Sequence, residues 1–262
     1  MLQLLPADSG KVAWLGHDLT QATEAAIREA RKDLQIVFQD PLASLDPRMP
    51  VGISIAEPLR ALEPGLSRAK VRARVTAMME RVGLDPRWIN RYPHELSGGQ
   101  NQRVGIARAM ILNPRIVVCD EAVSALDVSI QAQIVALLRS LQEDYGMAMM
   151  FISHDLSVVR QLSHRVMVLY LGRVVEMAEA EALYREPRHP YTRALLQAVP
   201  EPDPQRERSK TRALLTGDLP SPLDRRAQLT FLKSRRIDDA QAEQYRPRLI
   251  EIAPGHLVAE HD

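Results

Sequence analysis

Cysteine is nearly absent: Cys119 is the only one among 262 residues. Disulfide scaffolds, cysteine-based zinc sites and multi-cysteine clusters are thereby excluded, and a reducing cytosolic setting is the expectation. Aromatic residues are scarce as well, with two Trp, six Tyr and three Phe, which disfavours base-stacking platforms for single-stranded nucleic acid. The longest apolar runs, Val166 to Leu171 and Met147 to Ile152, stop at six residues. A membrane-spanning helix needs about 20. Met1 to Leu5 holds neither a basic stretch nor a long apolar one, so no secretory leader is expected there. Charge of neither sign prevails: 34 basic and 33 acidic residues leave a net charge of +1. That balance argues against nucleic-acid binding by bulk charge and against a polybasic membrane anchor, while leaving room for a local basic face. What is present in ordinary amount is hydrophobic residue, at 45%, enough for a sizeable core.

There is no internal repeat and no low-complexity tract, but four regions differ in texture. In residues 1–40, Val12 to Leu15 and Leu34 to Phe38 read as strands around a polar, alanine-rich helix, Gln21 to Lys32. Residues 41–114 are mostly helical in pattern. Ser67 is an N-cap for a helix reaching Val82 and ended by Gly83; another helix opens near Ser97 and stops before Asn113-Pro114. In residues 115–177, Ile116 to Cys119 and Met147 to Ile152 read as buried strands. Val128 to Asp144 and Leu156 to Leu162 read as helices, and Val166 to Leu171 and Val174 to Met177 as strands joined through Gly172. Strand–helix–strand alternation predicts an α/β layer with a parallel sheet. Residues 178–262 carry 9 of the 18 prolines, which reads as an irregular extension with short helices.

Three short stretches carry chemistry. Leu96-Ser97-Gly98-Gly99-Gln100 opens a helix. Unpaired N–H groups and the positive dipole end attract phosphate there, and two glycines allow an anion close to the backbone. The same residues also fit a Ser-capped helix start with a flexible turn and no ligand. Asp120 and Glu121 follow the apolar run Ile116 to Cys119, at the strand edge where ligands of open α/β sheets bind. There Asp120 can hold a hydrated Mg²⁺ and Glu121 can polarise water. A solvated loop fits the pair as well. Phe151-Ile152-Ser153-His154-Asp155 adds a histidine at a strand end, able to contact a transferring phosphoryl group. Ser153, His154 and Asp155 do not form a hydrolase triad, since neighbours on a strand point to opposite faces.

Together these stretches resemble the ABC-transporter ATPase family. Leu96 to Gln100 resembles its signature motif, Ile116 to Glu121 its Walker B strand, Ser124-Ala125-Leu126-Asp127 its D-loop, His154 its switch histidine and Gln39 its Q-loop glutamine. Phe38-Gln39-Asp40-Pro41, Ser44 to Arg48, Arg91 to Glu95, His189 to Thr192 and Gly217 to Pro222 resemble the oligopeptide, dipeptide and nickel importers within it. The fold implied is α/β: an ABC-type nucleotide-binding domain, with a parallel RecA-like sheet and a helical subdomain, truncated at its N-terminus and followed by a C-terminal extension. The implied parts are a nucleotide-binding core remnant at 1–40, a Q-loop and signature subdomain at 41–114, a Walker B core at 115–177 and the importer-type extension at 178–262.

By that resemblance two such subunits, identical or paralogous, sandwich two ATP molecules with Mg²⁺. Ser97, Gly98, Gly99 and Gln100 of one grip the γ-phosphate held by the other, with Asp127 at the same interface. Glu121 is the general base and His154 the switch; Asp120 and Gln39 hold the metal. Gln39 also faces integral membrane permease subunits, which receive solute from an extracytoplasmic binding protein. The implied location is peripheral, on the cytoplasmic face of the inner membrane, with no nucleic-acid partner. A DNA-repair or chromosome ATPase shares several of these motifs. The 57 positions from Gln39 to Leu96 leave room for a small helical subdomain and not for a long coiled coil. A further alternative is an inert partner that lends its signature helix in trans.

The sequence departs from the family in places. No stretch fits the phosphate-binding G-x-x-x-x-G-K-[ST] pattern. Met1 to Pro6 resembles the end of the helix after that loop, so the resemblance implies that the loop, its lysine and the adenine-stacking aromatic lie upstream of Met1. Ala122 stands where the family usually has proline, and Asn101 where a basic residue is usual. The importers' extension often carries cysteines, whereas Arg225 to Arg236 and His256 to His261 hold none, so no iron–sulfur band is expected. The 262-residue chain by itself is expected to bind ATP weakly and to hydrolyse it negligibly. Titration of the purified chain with a fluorescent ATP analogue checks this, and tight binding refutes it.

Overall fold

The computed structural model describes residues 2–199, 229–232 and 245–262, and the chain divides into two compact units, Met1–Asp155 and Leu156–Asp262. The first opens with a small antiparallel pair, β1 (Ala13–Trp14) and β2 (His17–Asp18). Helix α1 (Glu24–Ala30) is shorter than the polar run around it. It begins where the Thr23 hydroxyl accepts from the Ala26 amide, a standard N-terminal cap. After β3 (Leu34–Val37) come the short α2 (Pro41–Ser44), α3 (Val51–Leu62) and α4 (Arg68–Arg81). Ser67 caps α4 through the Lys70 amide, as its position predicts. Two 3-10 turns, Pro86–Asn90 and Pro93–Glu95, lead into α5 (Gly98–Met110).

Next follow β4 (Ile116–Asp120), α6 (Val128–Tyr145) and β5 (Ala148–Ile152). Strands β3, β4 and β5 form one parallel sheet in that order, with Leu34 opposite Ile116, Val37 opposite Cys119 and Asp120 opposite Ile152. The α/β layer expected from the alternating texture is therefore present. Within this sheet, among the described residues, only β4 has neighbours on both sides, and its Val117 and Cys119 are buried. The buried strand expected at Met147 to Ile152 is corrected: β5 is an edge strand among the described residues, and Met150 and Ile152 are exposed. A continuous apolar run reports composition and not which side of the sheet carries a neighbour.

The second unit comprises α7 (Leu156–Leu162), β6 (Arg165–Tyr170), β7 (Arg173–Glu179), α8 (Ala180–Arg185), α9 (Pro190–Ala198), β8 (Leu249–Ala253) and β9 (His256–Ala259). Its four strands make an antiparallel sheet in the order β6-β7-β9-β8. The strands joined through Gly172 thus do not extend the parallel sheet. Leu171 and Gly172 both have positive φ, +48° and +75°, and such a two-residue turn forces its strands antiparallel. The irregular reading of 178–262 anticipates α8 and α9 but not the hairpin of β8 and β9, whose turn is signalled by Pro254-Gly255. Gly217 to Pro222 and most of Arg225 to Arg236 lie outside the described residues.

A buried polar centre ties α9 to this sheet. The Glu176 carboxylate on β7 accepts the Arg188 and His189 amides at 2.8 and 3.0 Å and pairs with His256 Nε2 at 2.8 Å. Burial, reinforced by neighbouring His261, lowers the His189 imidazole to about 4. Among the described residues no helix is long and apolar enough to cross a membrane.

In the first unit, α3 meets the Pro86–Asn90 turn at a close approach. The Val51 amide donates to the Arg91 carbonyl at 2.8 Å. A Cβ on Gly52 would press on Ile89 Cγ1 and lie 2.9 Å from the Ile89 carbonyl oxygen. Backbone cannot yield as a flexible side-chain tip can, so Gly52→Ala is expected to destabilise the protein by about 1–3 kcal/mol. Urea unfolding measures this; an unchanged midpoint would mean that the approach is looser than described.

Candidate functional site

Three parallel strands that end level deliver one polar side chain each to a common point. Two residues beyond β3 is Gln39, directly after β4 is Glu121, and two residues beyond β5 is His154. Gln39 Nε2 donates to Glu121 Oε2 at 2.7 Å, and His154 Nδ1 lies 3.2 Å from Glu121 Oε1. The backbone places the carboxylate. Glu121 adopts φ +45°, uncommon for a residue with a side chain. Its amide continues the ladder by donating to the Ile152 carbonyl at 3.0 Å. The imidazole is largely solvent-facing, with 70% of its side chain exposed, against 27% for Glu121. A carboxylate so oriented, held on one oxygen by an amide and flanked on the other by an imidazole, can take a proton from a water molecule on its open side.

Asp120, the last residue of β4, is half-buried and makes no side-chain hydrogen bond or ion pair among the described residues. With its Nε2 committed to Glu121, Gln39 retains its amide oxygen as a donor to a cation. Two oxygen ligands of this kind fit Mg²⁺, which keeps most of its shell as water and phosphate oxygen. Among the described residues no group of three or more His, Cys, Asp or Glu forms a self-sufficient metal cage.

The second cluster is the start of α5. Ser97 and Gln100 form a reciprocal capping box: the Gln100 amide donates to Ser97 Oγ at 3.3 Å and the Ser97 amide to Gln100 Oε1 at 2.8 Å. Ser97 and Gly98 are exposed, Gly99 and Gln100 half-buried. Asp127 caps α6, accepting the Ser129 and Ile130 amides at 3.1 and 3.0 Å and the Ser129 hydroxyl at 2.9 Å. The Ile130 amide and the Ser129 hydroxyl hold its carboxyl below the ordinary carboxylate range. The structure therefore brings together Gln39, Glu121 and His154. Among the described residues no hydrogen bond joins Ser97 to Gln100 with that trio.

Supporting residues escape a motif reading. Asn101 is buried and its amide donates to the Pro93 carbonyl at 2.9 Å, so at this departure from the family the side chain pins the approach to Ser97. Gln131 Nε2 donates to Asp155 Oδ2 at 2.9 Å, linking α6 to the chain beyond His154. Arg108 Nη1 donates to the Ser44 carbonyl at 2.6 Å. The sequence reading holds only a Ser cap at Ser97; the Ser-x-x-Gln spacing is the signal that marks the reciprocal box, whereas these long-range contacts have no local signal.

Comparison with known proteins places these features in context. Residues 1–124 match the ABC transporter family, and residues 175–227 match the oligopeptide/dipeptide transporter C-terminal region. The chain is 55% identical over 259 residues to the oligopeptide transport ATP-binding protein OppF of Salmonella typhimurium, covering 99% of this chain and 77% of that protein. It is 46% identical over 262 residues to the glutathione import ATP-binding protein GsiA of Escherichia coli K12, covering 39% of that longer protein. A solved structure of the ATP-binding cassette MJ0796, dimeric in a post-hydrolysis state with ADP and Pi, superposes with a TM-score of 0.61. It is 30% identical and covers 68% of this chain and 76% of that one.

Cys119, one residue before Asp120, is fully buried in β4, and burial pushes its thiol up to about 12. A thiol so placed is inert, because the thiolate is the reactive form. Native protein at pH 8 is expected not to react with a disulfide reagent such as DTNB, and denatured protein to release one equivalent. Rapid labelling of the native chain would contradict the burial of β4.

Proposed function

The chain belongs to the ABC transporter ATP-binding family, on its oligopeptide-importer branch, and from that premise we propose how its residues couple ATP hydrolysis to solute import. The family's activity is ATP hydrolysis by an energy-coupling subunit of a peptide-class importer. Within it, Glu121 accepts the proton of the attacking water. Gln39 orients that carboxylate from one side, and His154 on the other reports the presence of the γ-phosphate. Asp120 and the Gln39 amide oxygen would hold Mg²⁺, which supplies charge neutralisation on the phosphate oxygens. Ser97, Gly98, Gly99 and Gln100 meet the nucleotide held by a second ATP-binding subunit, with Asp127 shaping the same interface. The partners are that subunit and the membrane permeases, with a solute-binding protein outside, and the place of action is the cytoplasmic membrane face.

One observation carries this reading: a single carboxylate, Glu121, is hydrogen-bonded to Gln39 and paired with His154 at the level ends of three adjacent strands. A chain serving only as an inert partner has no physical need for that arrangement. ATP binding would favour the closed pair of subunits and hydrolysis would release it, a population shift driven by differential affinity.

The test is Glu121→Gln in the assembled importer. The amide preserves size and can still accept from Gln39, but it cannot take a proton. ATP turnover is expected to fall by about 10²-fold or more while ATP binding persists. A variant retaining more than about a tenth of wild-type turnover would remove Glu121 from the role of base.

A further inference from the structure

We infer that Ile130 is a positioning residue for the turn at Ser97 to Gln100, and that Gly99 is glycine because of Ile130 of the same chain. This rests on the reading of that turn as nucleotide-facing. A Cβ on Gly99 would lie 2.5 Å from Ile130 Cγ2, and 3.8 Å from both its Cβ and its Cγ1. A Cβ on the neighbouring Gly98 would meet only Leu126 Cδ2 at 3.9 Å, ordinary van der Waals contact. The two glycines therefore differ: packing within the chain leaves space for a methyl group at 98 and none at 99.

Ile130 cannot step aside. Its amide is held at 3.0 Å by the Asp127 cap. Its Cγ2 hangs directly from Cβ, so only χ1 could move it, and an isoleucine in a helix has essentially one χ1 well. Nor does the backbone at 99 demand glycine, since Gly99 is not among the positive-φ residues and lies within α5. In a helix Ala is favoured over Gly, so without Ile130 an alanine at 99 would be the better residue. The first turn of α6 thus fixes the height of the α5 N-terminus above the Glu121 to Asp127 loop. The end of α5 and that loop behave as one packed body.

A size-swap cycle tests this. In the full 262-residue chain, Gly99→Ala is expected to lower the melting temperature by about 3 °C or more. In an Ile130→Ala background the same change is expected to leave it unchanged or raise it. Gly98→Ala, the control for packing alone, is expected to cause no loss of melting temperature. If Gly99→Ala does not lower the melting temperature, or lowers it equally in both backgrounds, the inference is overturned. In the assembled importer, Gly99→Ala is expected to reduce kcat by about 10-fold or more. The double variant is expected to return to within about threefold of Ile130→Ala alone. Restored melting with kcat still lost would mean that a ligand, not Ile130, requires Gly99. If the wild-type importer shows no ATP turnover, the proposed function fails. The inference is then decided by amide hydrogen exchange over residues 98–102 in the chain itself: exchange faster by about 10-fold in Ile130→Ala supports it, and unchanged exchange overturns it.

Discussion

In-register pairing of β3, β4 and β5 is the constraint on which the site depends. Because the strands run parallel and end level, side chains separated by 82 and 33 residues in sequence arrive at one carboxylate. The ladder does not stop at the last paired residues. Glu121 continues it through its own amide, in a backbone conformation that side chains disfavour. That one hydrogen bond helps hold the peptide in the conformation that points the carboxylate at Gln39 and His154. The geometry of the candidate site is thus an extension of the sheet.

The other cluster is organised by capping and by close packing. Ser97 and Gln100 satisfy each other's backbone, Asp127 satisfies the start of α6, and Ile130 fills the space that Gly99 leaves. Each polar group that the family resemblance assigns to nucleotide contact also has work inside its own chain. The capping box leaves Ser97 and Gly98 exposed on a formed helix end, so the surface offered to a partner is already ordered. Ordering it in advance lowers the entropic cost of association.

Much of this was legible in sequence because its signals are local. Ser67, Ser97 and Gly83 announced the limits of α4 and the start of α5. The run Ile116 to Cys119 announced the central strand of the parallel sheet. The site residues followed from motifs whose order along the chain matched a known pattern. What was not legible depends on partners distant in sequence. Met147 to Ile152 is as apolar as β4, yet lies at an edge. The antiparallel turn at Leu171-Gly172 and the hairpin of β8 and β9 redirect strands that their composition alone would allow in either sheet. The role of Asn101 was not visible, because its bond to the Pro93 carbonyl spans a turn that no periodicity describes.

Arg108 gives α5 a second anchorage, at the opposite end from Ser97. Its guanidinium donates to the Ser44 carbonyl, the last residue of α2, five positions after Gln39. Eleven residues separate Ser97 from Arg108, about 16 Å along a helix. A helix fastened at both ends behaves as a stiff strut. Pressure applied to the segment from Gln39 to Ser44 does not dissipate locally but lifts or lowers the far tip of the strut, where Ser97 and Gly98 stand open to the outside. Motion imposed beside Gln39 would in this way be felt at the exposed helix end formed by Ser97 and Gly98.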